Sequence, residues 1–569
     1  MPRLSTRALI LTCAGGLVVS SLAAAGPLAA SAQESNAKHV LLLSVDGLHQ
    51  SDLAWYVRTH PASALARLVD RGVEYSNAHT PFPSDSFPGM TAPMTGGNPK
   101  STGIYYDDSW NRALFPAAAN SNNDLTTCAG LAPGAEVTYF EAAAKDPKRL
   151  DSGQGLAGLP GSILQLTANA TSLIDPAQLP RDANCNPVYP HSYIKVNTIM
   201  EVATAARLGT AWSDKHAAYE LFNGNSGSGV KDYFTPEINS NAPLTTSTTG
   251  DWTTDNALTM QYDSYKVQAV INWINGRDHS GATRVATPAI LGMNFQTIST
   301  AEKLPSSNGL TGGYMADGKT PGLLLQRALD YINAKVGSMV DALKARHLDR
   351  NTVIILTAKH GQSPQTPSAL TRIADSKVMA DLNAAWVSAG HTGDLVAFSI
   401  NDDGMLVWLN DRSGAGFAKN FLLEYTGSGT GVDGHAKSTD INGNPKPYTK
   451  AGLATIYAGG DAAALLGVSV NDARVPDLIG ISQYGTVYTG KKAKIAEHGG
   501  NNPQDRNVPI VVAGGPIENG GEVVKTWVET TQIAPTILRL LGLNPNDLKA
   551  VQIEHTRALP LDGGNNQNN

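Results

Sequence analysis

The chain has 569 residues, of which 41% are hydrophobic and 16% are charged, with a formal net charge of −6 and a pI near 6.1. This length is enough for one large α/β domain with insertions, or for two domains. The slightly acidic balance gives no electrostatic reason to expect a nucleic acid or an anionic membrane surface as a partner. We therefore expect no binding of a nucleic-acid polymer.

Residues 1–32 are typical of an export signal. Arg3 and Arg7 precede the apolar run 8–19, which is too short to span a bilayer, and the small residues 30–32 precede a cleavage position near Gln33. A retained membrane anchor is the alternative. No other run of about 18 apolar residues follows. We expect a mature protein that is secreted or extracytoplasmic, with a domain over 38–562 and a disordered tail at 563–569.

Cleavage of the signal would leave two cysteines, Cys128 and Cys185. In an oxidising compartment the pair predicts one disulfide, and two buried free thiols are the alternative. Two thiols are too few for a structural zinc site.

The chain alternates between two patterns. Apolar runs are typical of buried strands, and the amphipathic stretches between them are typical of helices. The first run, "HVLLLSVDGL", ends in an Asp-Gly pair, and such a run is typical of a strand covered on both faces. The pattern predicts an α/β fold with a mostly parallel central sheet flanked by helices, and long insertions at about 109–190, 223–251 and 428–450. The predicted strands are 39–48, 288–295, 352–361 and 508–515, and the predicted helices are 61–72, 323–347 and 529–543.

Four short segments carry residues suited to catalysis. Asp46 ends the first predicted strand, Ser86 precedes a helical pattern, and His360 and His498 each stand before a glycine. Singly, each has an ordinary structural explanation, such as a turn residue, a helix N-cap or a loop histidine. Together they make a metal site and an activated hydroxyl conceivable.

The order of these segments resembles the alkaline phosphatase superfamily. Asp-Gly after the first strand, "SFP" at Ser86, "TGGNPKSTGI" and two His-Gly pairs follow one another as they do in the type I phosphodiesterase/nucleotide pyrophosphatase family. The segments 474–479 and 533–543 also resemble that family's later part. The likeness implies an alkaline-phosphatase-like fold and a phosphoric ester hydrolase that acts on a small phosphodiester or nucleotide.

The resemblance also implies a covalent mechanism at two metals, usually zinc, with calcium, magnesium or manganese as other choices. By position, Ser86 is the nucleophile and binds the first metal together with Asp46 and His360. His498 is a ligand of the second metal. A metal there lowers the pKa of the hydroxyl and neutralises phosphate oxygens.

The chain departs from the family pattern at three places around this site. Lys359 stands where the family has aspartate, "NFQTIS" from Asn294 replaces an aspartate and a histidine, and Asp107 replaces an asparagine. We expect at least one metal to be lost and Lys359 to take part in catalysis by neutralising phosphate. Asp107 and Asn294 are predicted to contact the substrate, and the amide oxygens of Asn294 and Gln296 are possible ligands of a harder ion.

The segment "SDKH" offers a compensating set. Asp214 and His216 are predicted to be replacement metal ligands, and Lys215 is predicted to contact an anion. A solvated Asp-Lys-His turn is the alternative explanation for these residues. Two further functions stay open for the chain. One is a non-catalytic protein that binds an anion or another ligand on the same fold, and the other is different chemistry centred on Lys359.

Overall fold

The structure is a computed structural model that describes residues 37–117, 127–138, 143–243, 250–489, 493–517 and 520–561. The predicted signal segment 1–32 and the predicted tail 563–569 lie outside these residues. Within these ranges, no helix combines the length and the apolar composition needed to cross a membrane.

A nine-stranded sheet forms the centre of the fold. All of its strand pairs are parallel except the two made by Asn507–Ala513, which runs antiparallel to both of its neighbours. The predicted α/β fold with a mostly parallel sheet is therefore confirmed. In spatial order the strands are Glu522–Val524, Val73–His79, Asn507–Ala513, Thr352–Thr357, His39–Val45, Ile290–Phe295, Thr210–Ser213 and Asp232–Phe234, and Val528–Glu529 also pairs with Val73–His79.

The central strand His39–Val45 is apolar over nearly its whole length because helices cover both faces of the sheet. Successive side chains of a strand point to opposite faces. Leu41 and Leu43 pack into one hydrophobic core, and Val40 and Leu42 pack into the other. The helices that supply the first core are Gln50–Thr59, Ala64–Arg71, Asn256–Ile274, Thr297–Lys303 and Leu323–Ala345, and those of the second are Ser86–Thr95, Ile199–Ala205, Ile533–Leu540 and Lys549–Glu554.

A second, antiparallel sheet lies within 371–489 and has its own hydrophobic core, formed with the helices Asp375–Ser388 and Ala415–Glu424. The sequence analysis predicted only an insertion at 428–450 here. Alternation along these short strands is irregular, so the strand pattern is weak. The strands are, in spatial order, Val396–Asn401, Gly404–Leu409, Leu478–Ser482 and Leu453–Ala458.

The remaining described elements are short. Two-stranded ribbons join Asp108–Asn111 to Ala135–Thr138 and Ser306–Ser307 to Leu310–Thr311, and a small sheet joins Ser438–Thr439, Thr371–Ile373 and Thr486–Tyr488. Short α-helices are Pro99–Thr102, Pro190–Tyr193, Gly460–Leu466 and Pro503–Arg506. The 3-10 helices are Ile163–Gln165, Ala170–Leu173, Pro176–Gln178, Ala217–Asn223, Asp349–Asn351, Pro367–Ala369, Arg412–Gly414, Lys450–Gly452, Thr530–Gln532 and Pro545–Asp547.

Two of the long segments have structural roles of their own. Cys128 and Cys185 form a disulfide, which closes part of the segment 109–190. The segment 223–251 contributes Asp232–Phe234, the edge strand of the central sheet. This strand has only three residues, too few for a recognisable alternation.

A buried ion pair fixes the loop that follows strand Ile290–Phe295. Lys266 and Asp263 lie one helical turn apart, 3.0 Å from Nζ to Oδ1, and both side chains are fully buried. Lys266 Nζ also donates to the carbonyl of Asn294 at 2.5 Å, and Asp263 Oδ2 accepts from the amides of Gln296 and Thr297 at 2.8 and 2.9 Å. The pair therefore holds the loop by its backbone.

We expect Asp263→Ala to lower the free energy of unfolding by about 3–5 kcal/mol, because it leaves the Lys266 ammonium buried without its partner. The measurement is urea unfolding of the purified protein. Asp341→Ala is the control, since Asp341 lies 3.8 Å from Lys344 in an exposed pair and its loss costs at most about 0.5 kcal/mol. Equal effects of the two substitutions would contradict this account of the buried pair.

Candidate active site

Polar side chains gather at the carboxyl edge of the parallel strands. Asp46 follows strand His39–Val45, and Asp214, Asn294 and Lys359 stand at or just after the ends of their own strands. The carboxyl ends of neighbouring parallel strands meet at one edge of a sheet, which is the usual place for a site in such folds. These residues, predicted separately from the sequence, lie together here.

Ser86 is the first residue of helix Ser86–Thr95. The N-cap is Asp85, whose Oδ2 accepts a hydrogen bond from the Phe87 amide at 3.0 Å, so the sequence-based reading of Ser86 as a possible N-cap is wrong. Gly89 lets this helix approach the end of strand Thr352–Thr357, because a Cβ at Gly89 would lie 2.0 Å from the Lys359 carbonyl oxygen. The helix thereby carries Ser86 to the histidine that follows Lys359.

The Ser86 hydroxyl lies between an imidazole and an ammonium. Lys215 Nζ donates to Ser86 Oγ at 2.9 Å, and His360 Nε2 lies 3.2 Å from the same oxygen. His360 Nδ1 lies 3.0 Å from the Gly361 carbonyl, which can only accept. The proton of the imidazole is therefore assigned to Nδ1, and Nε2 accepts the hydrogen bond of the serine.

Asp46 is held by amides and ammonium groups. Lys215 Nζ lies 3.5 Å from Asp46 Oδ2, which also accepts from the side-chain amide of Gln296. With its amide oriented to satisfy its neighbours, Asn294 donates to Asp46 Oδ1 at 2.9 Å. Burial alone would raise the pKa of Asp46, but the charges of Lys359 and Lys215 outweigh it and hold that pKa well below its ordinary value. Asp46 is thus a carboxylate.

Lys359 is fully buried and lies in an ion pair. Its Nζ is 2.8 Å from Asp214 Oδ1 and 2.7 Å from the Tyr219 hydroxyl. It also lies 3.2 Å from the side-chain oxygen of Asn294 in the amide orientation given above. Burial lowers the pKa of Lys359, and the charges of Asp214 and Asp46 oppose that shift. The amide oxygen of Asn294 is therefore used by an ammonium instead of facing a hard metal ion.

The residues that flank Lys215 have other partners. Asp214 pairs with Lys359 and accepts from Trp212 Nε1 at 3.1 Å, and His216 Nδ1 lies 2.7 Å from Glu237 Oε1. These contacts do not favour the prediction that Asp214 and His216 replace the lost metal ligands. They instead fix the backbone on both sides of Lys215, which directs its ammonium to Ser86.

Further acidic side chains, those of Asp85, Asp107 and Asp402, lie in the neighbourhood of Ser86 and His498. His498 Nδ1 lies 3.4 Å from Asp85 Oδ1, and the His360 and His498 rings stack with centroids 4.0 Å apart. Asp402 accepts from the Tyr106 hydroxyl at 2.8 Å. Burial together with the charges of Asp85 and Asp402 raises the pKa of Asp107 well above its ordinary value.

Burial affects the pKa of each of the two site histidines in the same direction. It lowers the pKa of His360 to about 3, helped by the charges of Lys303 and Lys215. The pKa of His498 is also far below its ordinary value, because of burial and the positive charges of Lys303 and Lys215. Burial raises the pKa of Asp85 to about 6, against the hydrogen bonds from the Phe87 and Ser86 amides. Both imidazoles are thus neutral near pH 7.

Comparison with solved structures identifies the class of fold to which this chain is similar. The chain is similar in fold to the wild-type alkaline phosphatase PafA, with a TM-score of 0.54 at 13% identity over 90% of this chain and 96% of that one. It is similarly related to an inactive murine ectonucleotide pyrophosphatase/phosphodiesterase 5 in complex with AMP, with a TM-score of 0.51 at 13% identity over 89% and 96% of the two chains. No curated protein sequence matches the chain. The fold is therefore alkaline-phosphatase-like.

The family follows from the sequence profile for type I phosphodiesterase/nucleotide pyrophosphatase, which matches residues 40–503. The chain belongs to that family, and it is a phosphoester hydrolase of the phosphodiesterase/pyrophosphatase type. The resemblance inferred from the order of motifs is therefore confirmed. Family members and the alkaline phosphatases are divalent-metal enzymes, typically extracellular or secreted in the case of the family.

The corner formed by Asp46, Ser86 and His360 does not fit the family's first metal. An ammonium, that of Lys215, already lies at hydrogen-bonding distance from Ser86 Oγ and 3.5 Å from Asp46 Oδ2. A divalent cation bound to the same two oxygens would stand next to this like charge. The amides of Gln296 and Asn294 satisfy the rest of the Asp46 carboxylate.

Several residues at the site escaped the sequence analysis. Asp85 was detectable, because an aspartate directly before a helical pattern is a preferred N-cap. Asp402 comes from the second sheet, whose position no local pattern predicts. Tyr219 and Lys303 lie in helical segments, where a tyrosine or a lysine is common and does not indicate a functional site. The described part of the chain thus brings together more charged groups than the motifs alone indicate.

We expect Gly89→Ala to lower the free energy of unfolding by about 1–3 kcal/mol, because the new methyl group meets the Lys359 carbonyl. Gly416→Ala is the matched control within another helix, where a Cβ has no neighbour within 4 Å. The control is expected to keep or raise stability. Urea unfolding of both variants checks the close approach, and an unchanged Gly89→Ala would contradict it.

Proposed function

We propose that the protein is an exported hydrolase of phosphodiesters or pyrophosphates, with a nucleotide-like small molecule as substrate and Ser86 as the nucleophile. The observation that carries the proposal is the position of Ser86 Oγ, between Lys215 Nζ at 2.9 Å and His360 Nε2 at 3.2 Å. A hydroxyl with a base on one side and a cation on the other is the arrangement of an activated serine.

The chemistry follows from these contacts. Ser86 Oγ attacks phosphorus, and its proton passes to His360 Nε2, whose lone pair is available because the imidazole carries its proton on Nδ1. The new bond joins Ser86 to phosphorus while the bond to the leaving oxygen breaks. The intermediate keeps the second ester group on phosphorus, and water then cleaves the bond between Ser86 Oγ and phosphorus, which releases the monoester and restores the hydroxyl. The pKa of His360 is lowered by burial and, to a lesser extent, by nearby ammonium charges, and a substrate anion offsets the second of these contributions.

Lys215 supplies positive charge where the reaction develops negative charge. Its Nζ is directed at Ser86 Oγ, and the Lys215 side chain is 15% exposed, so a bound phosphate can share the ammonium. A preorganised cation at a developing oxyanion is worth several kcal/mol in a site that excludes water. Lys359, in contrast, acts through Asp214 and Asn294 and is a positioning residue.

At least one divalent metal completes the proposed enzyme, with zinc the first to test and manganese, magnesium or calcium the alternatives. The corner formed by Asp46, Ser86 and His360 does not accept this metal, because the Lys215 ammonium already lies there. When bound, such an ion neutralises charge on the phosphate and on the leaving group.

Export is proposed from residues 1–32, whose pattern is that of a cleaved signal. The disulfide between Cys128 and Cys185 supports the same location, since disulfides persist in oxidising compartments.

We expect Ser86→Ala to reduce hydrolysis of bis-(p-nitrophenyl) phosphate by at least about 10³-fold, because it removes the attacking oxygen. Ser84→Ala is the control, since Ser84 donates to the Asp505 carbonyl at 2.6 Å and has no proposed role in the reaction. Rapid quench of the wild type followed by mass spectrometry is expected to give a p-nitrophenylphosphoryl ester on Ser86, formed as one p-nitrophenolate leaves. Turnover that survives in Ser86→Ala would show a different nucleophile.

We expect Lys215→Met to lower kcat/KM about 10²-fold, and Lys215→Arg to recover part of the loss. The assay uses the same diester, with p-nitrophenyl phosphate in parallel to compare diester and monoester. An unchanged kcat/KM in Lys215→Met would contradict the proposed role of the ammonium, whereas a non-catalytic binding protein would hydrolyse neither ester in any form.

A further inference from the structure

The peptide group between Gly361 and Gln362 lies between two histidines. Its carbonyl oxygen is 3.0 Å from His360 Nδ1, and its amide nitrogen is 3.0 Å from His49 Nε2. A peptide group is planar, so the directions of its N–H and of its C=O are fixed together. The carbonyl holds the proton of His360 on Nδ1 and leaves Nε2 to accept from the Ser86 hydroxyl. His49 therefore contacts the opposite end of the group that sets this tautomer.

His49 holds the backbone of Gln362 in either of its protonation states. Its Nε2 also lies 2.7 Å from the Gln362 carbonyl oxygen. A neutral ring with its proton on Nδ1 accepts from the amide, and a doubly protonated ring donates to the carbonyl. In both states the ring is bonded to the main chain two residues beyond His360.

Buried groups hold the His49 ring from its other side. Its Nδ1 donates to Asp52 Oδ2 at 2.8 Å and lies 2.7 Å from the Tyr314 hydroxyl. Asp52 Oδ2 also accepts from the His49 backbone amide at 3.2 Å. The His49 residue is only 2% exposed. Asp52 and Tyr314 thereby determine that Nε2 is the nitrogen that faces Gln362.

The glycine after His360 permits this close contact. A Cβ at Gly361 would lie 2.8 Å from His49 Cδ2 and 2.1 Å from the Gln504 carbonyl oxygen. The Gly361 amide donates to the Asp505 carbonyl at 2.7 Å. The main chain after His360 is therefore enclosed between His49 and the segment that contains Gln504 and Asp505.

We propose that His49 is a positioning residue for the reaction at Ser86. Through the peptide group between Gly361 and Gln362, it fixes the carbonyl that keeps the His360 proton on Nδ1. Without His49 this peptide group can turn, and Nδ1 loses its acceptor. A proton that moves to Nε2 leaves no lone pair to accept the proton of Ser86. The catalytic consequence rests on the proposed function, whereas the effect on the tautomer rests on the contacts alone.

Two substitutions of His49 separate its two contacts. The amide of asparagine takes the place of Nδ1, so His49→Asn keeps a polar group beside Asp52 and loses the contact with Gln362. The longer side chain of glutamine takes the place of Nε2, so His49→Gln keeps a polar group at the Gln362 backbone. The two variants therefore test which side of the ring matters.

The tautomer of His360 is measured directly, so that this part of the test is independent of turnover. The full chain is labelled with ¹⁵N-histidine, and the His360 signals are assigned by their absence from His360→Gln. Nitrogen chemical shifts distinguish a protonated ring nitrogen from an unprotonated one. We expect the proton on Nδ1 in the wild type and in His49→Gln, and a second form with the proton on Nε2 in His49→Asn.

Hydrolysis of bis-(p-nitrophenyl) phosphate gives the catalytic consequence. We expect His49→Asn to lower kcat by about 10- to 10²-fold, because the base is misplaced or carries its proton on the wrong nitrogen. KM is expected to stay nearly unchanged, since the ring contacts the Gln362 backbone and not the substrate. His49→Gln is expected to recover part of the lost kcat.

His279→Asn is the matched control. His279 is 4% exposed, its Nδ1 pairs with Asp232, and its Nε2 lies 2.6 Å from the Leu166 carbonyl oxygen. It therefore has the same kinds of partner as His49, but its carbonyl partner is not beside His360. We expect this variant to lose stability while kcat and the His360 tautomer stay as in the wild type.

Circular dichroism verifies that each variant is folded. If His49→Asn does not fold, Asp52→Asn replaces it, because this change keeps the ring and weakens its hold at Nδ1, with the same direction of effect. An unchanged His360 tautomer and kcat in the folded variant would overturn the proposal, as would equal losses of kcat in His49→Asn and His279→Asn. A wild type that does not hydrolyse the diester would overturn the proposed function, and the tautomer would still decide whether His49 positions His360.

Discussion

The ion pair between Lys359 and Asp214 closes the carboxyl edge of the central sheet. The strands that carry these two residues are separated by two others, and Asp46 and Asn294 lie at the ends of those two. A fully buried ammonium is tolerable only with such a partner, since an unpaired charge in the interior costs several kcal/mol. Where the family has a carboxylate, this chain therefore has a cation that brings its own counter-ion. The positions of Asn294, Asp46 and Lys215 all depend on that pairing.

Ser86 consequently separates two electrostatic environments. On one side, ammonium and amide groups surround a single carboxylate, Asp46, and leave it no capacity for a metal. On the other side, burial raises the pKa of Asp85, which lies beside the neutral His498, and of Asp107. The departures from the family pattern, which seemed in the sequence to be separate losses, together place positive charge at the nucleophile and a further acidic group beyond it. Charge redistribution explains Lys359, Asn294 and Asp107 with one cause.

Much of the fold was predictable because its strands are long apolar runs. Strands His39–Val45, Ile290–Phe295 and Thr352–Thr357 fall within predicted ranges, as does helix Leu323–Ala345, and strand Asn507–Ala513 begins one residue before the predicted range 508–515. The edge strand Asp232–Phe234 and the second sheet were not predicted, because three-residue strands and irregular alternation carry no clear period.

The positions of the site residues were predictable only for those residues that lie near strand ends. Asp46, Ser86 and His360 meet as expected, since topology brings those ends together. The direction of a flexible side chain is a different matter. Nothing local indicates that Lys215 turns to Ser86 while Asp214 and His216 turn to Lys359 and Glu237. The contribution of Asp402 depends on how a second sheet packs, which is a long-range property of the whole chain.

The pairing of the central strand has a consequence for how the chain folds. His39 is hydrogen-bonded in register with Thr352, and Val40 with Ile290, so the most apolar strand of the protein is made first and paired late. Contacts this distant in sequence form slowly and leave an apolar segment exposed in the meantime. A chain that is kept unfolded until synthesis is complete avoids this hazard, because all the partners of the strand are then present when folding begins.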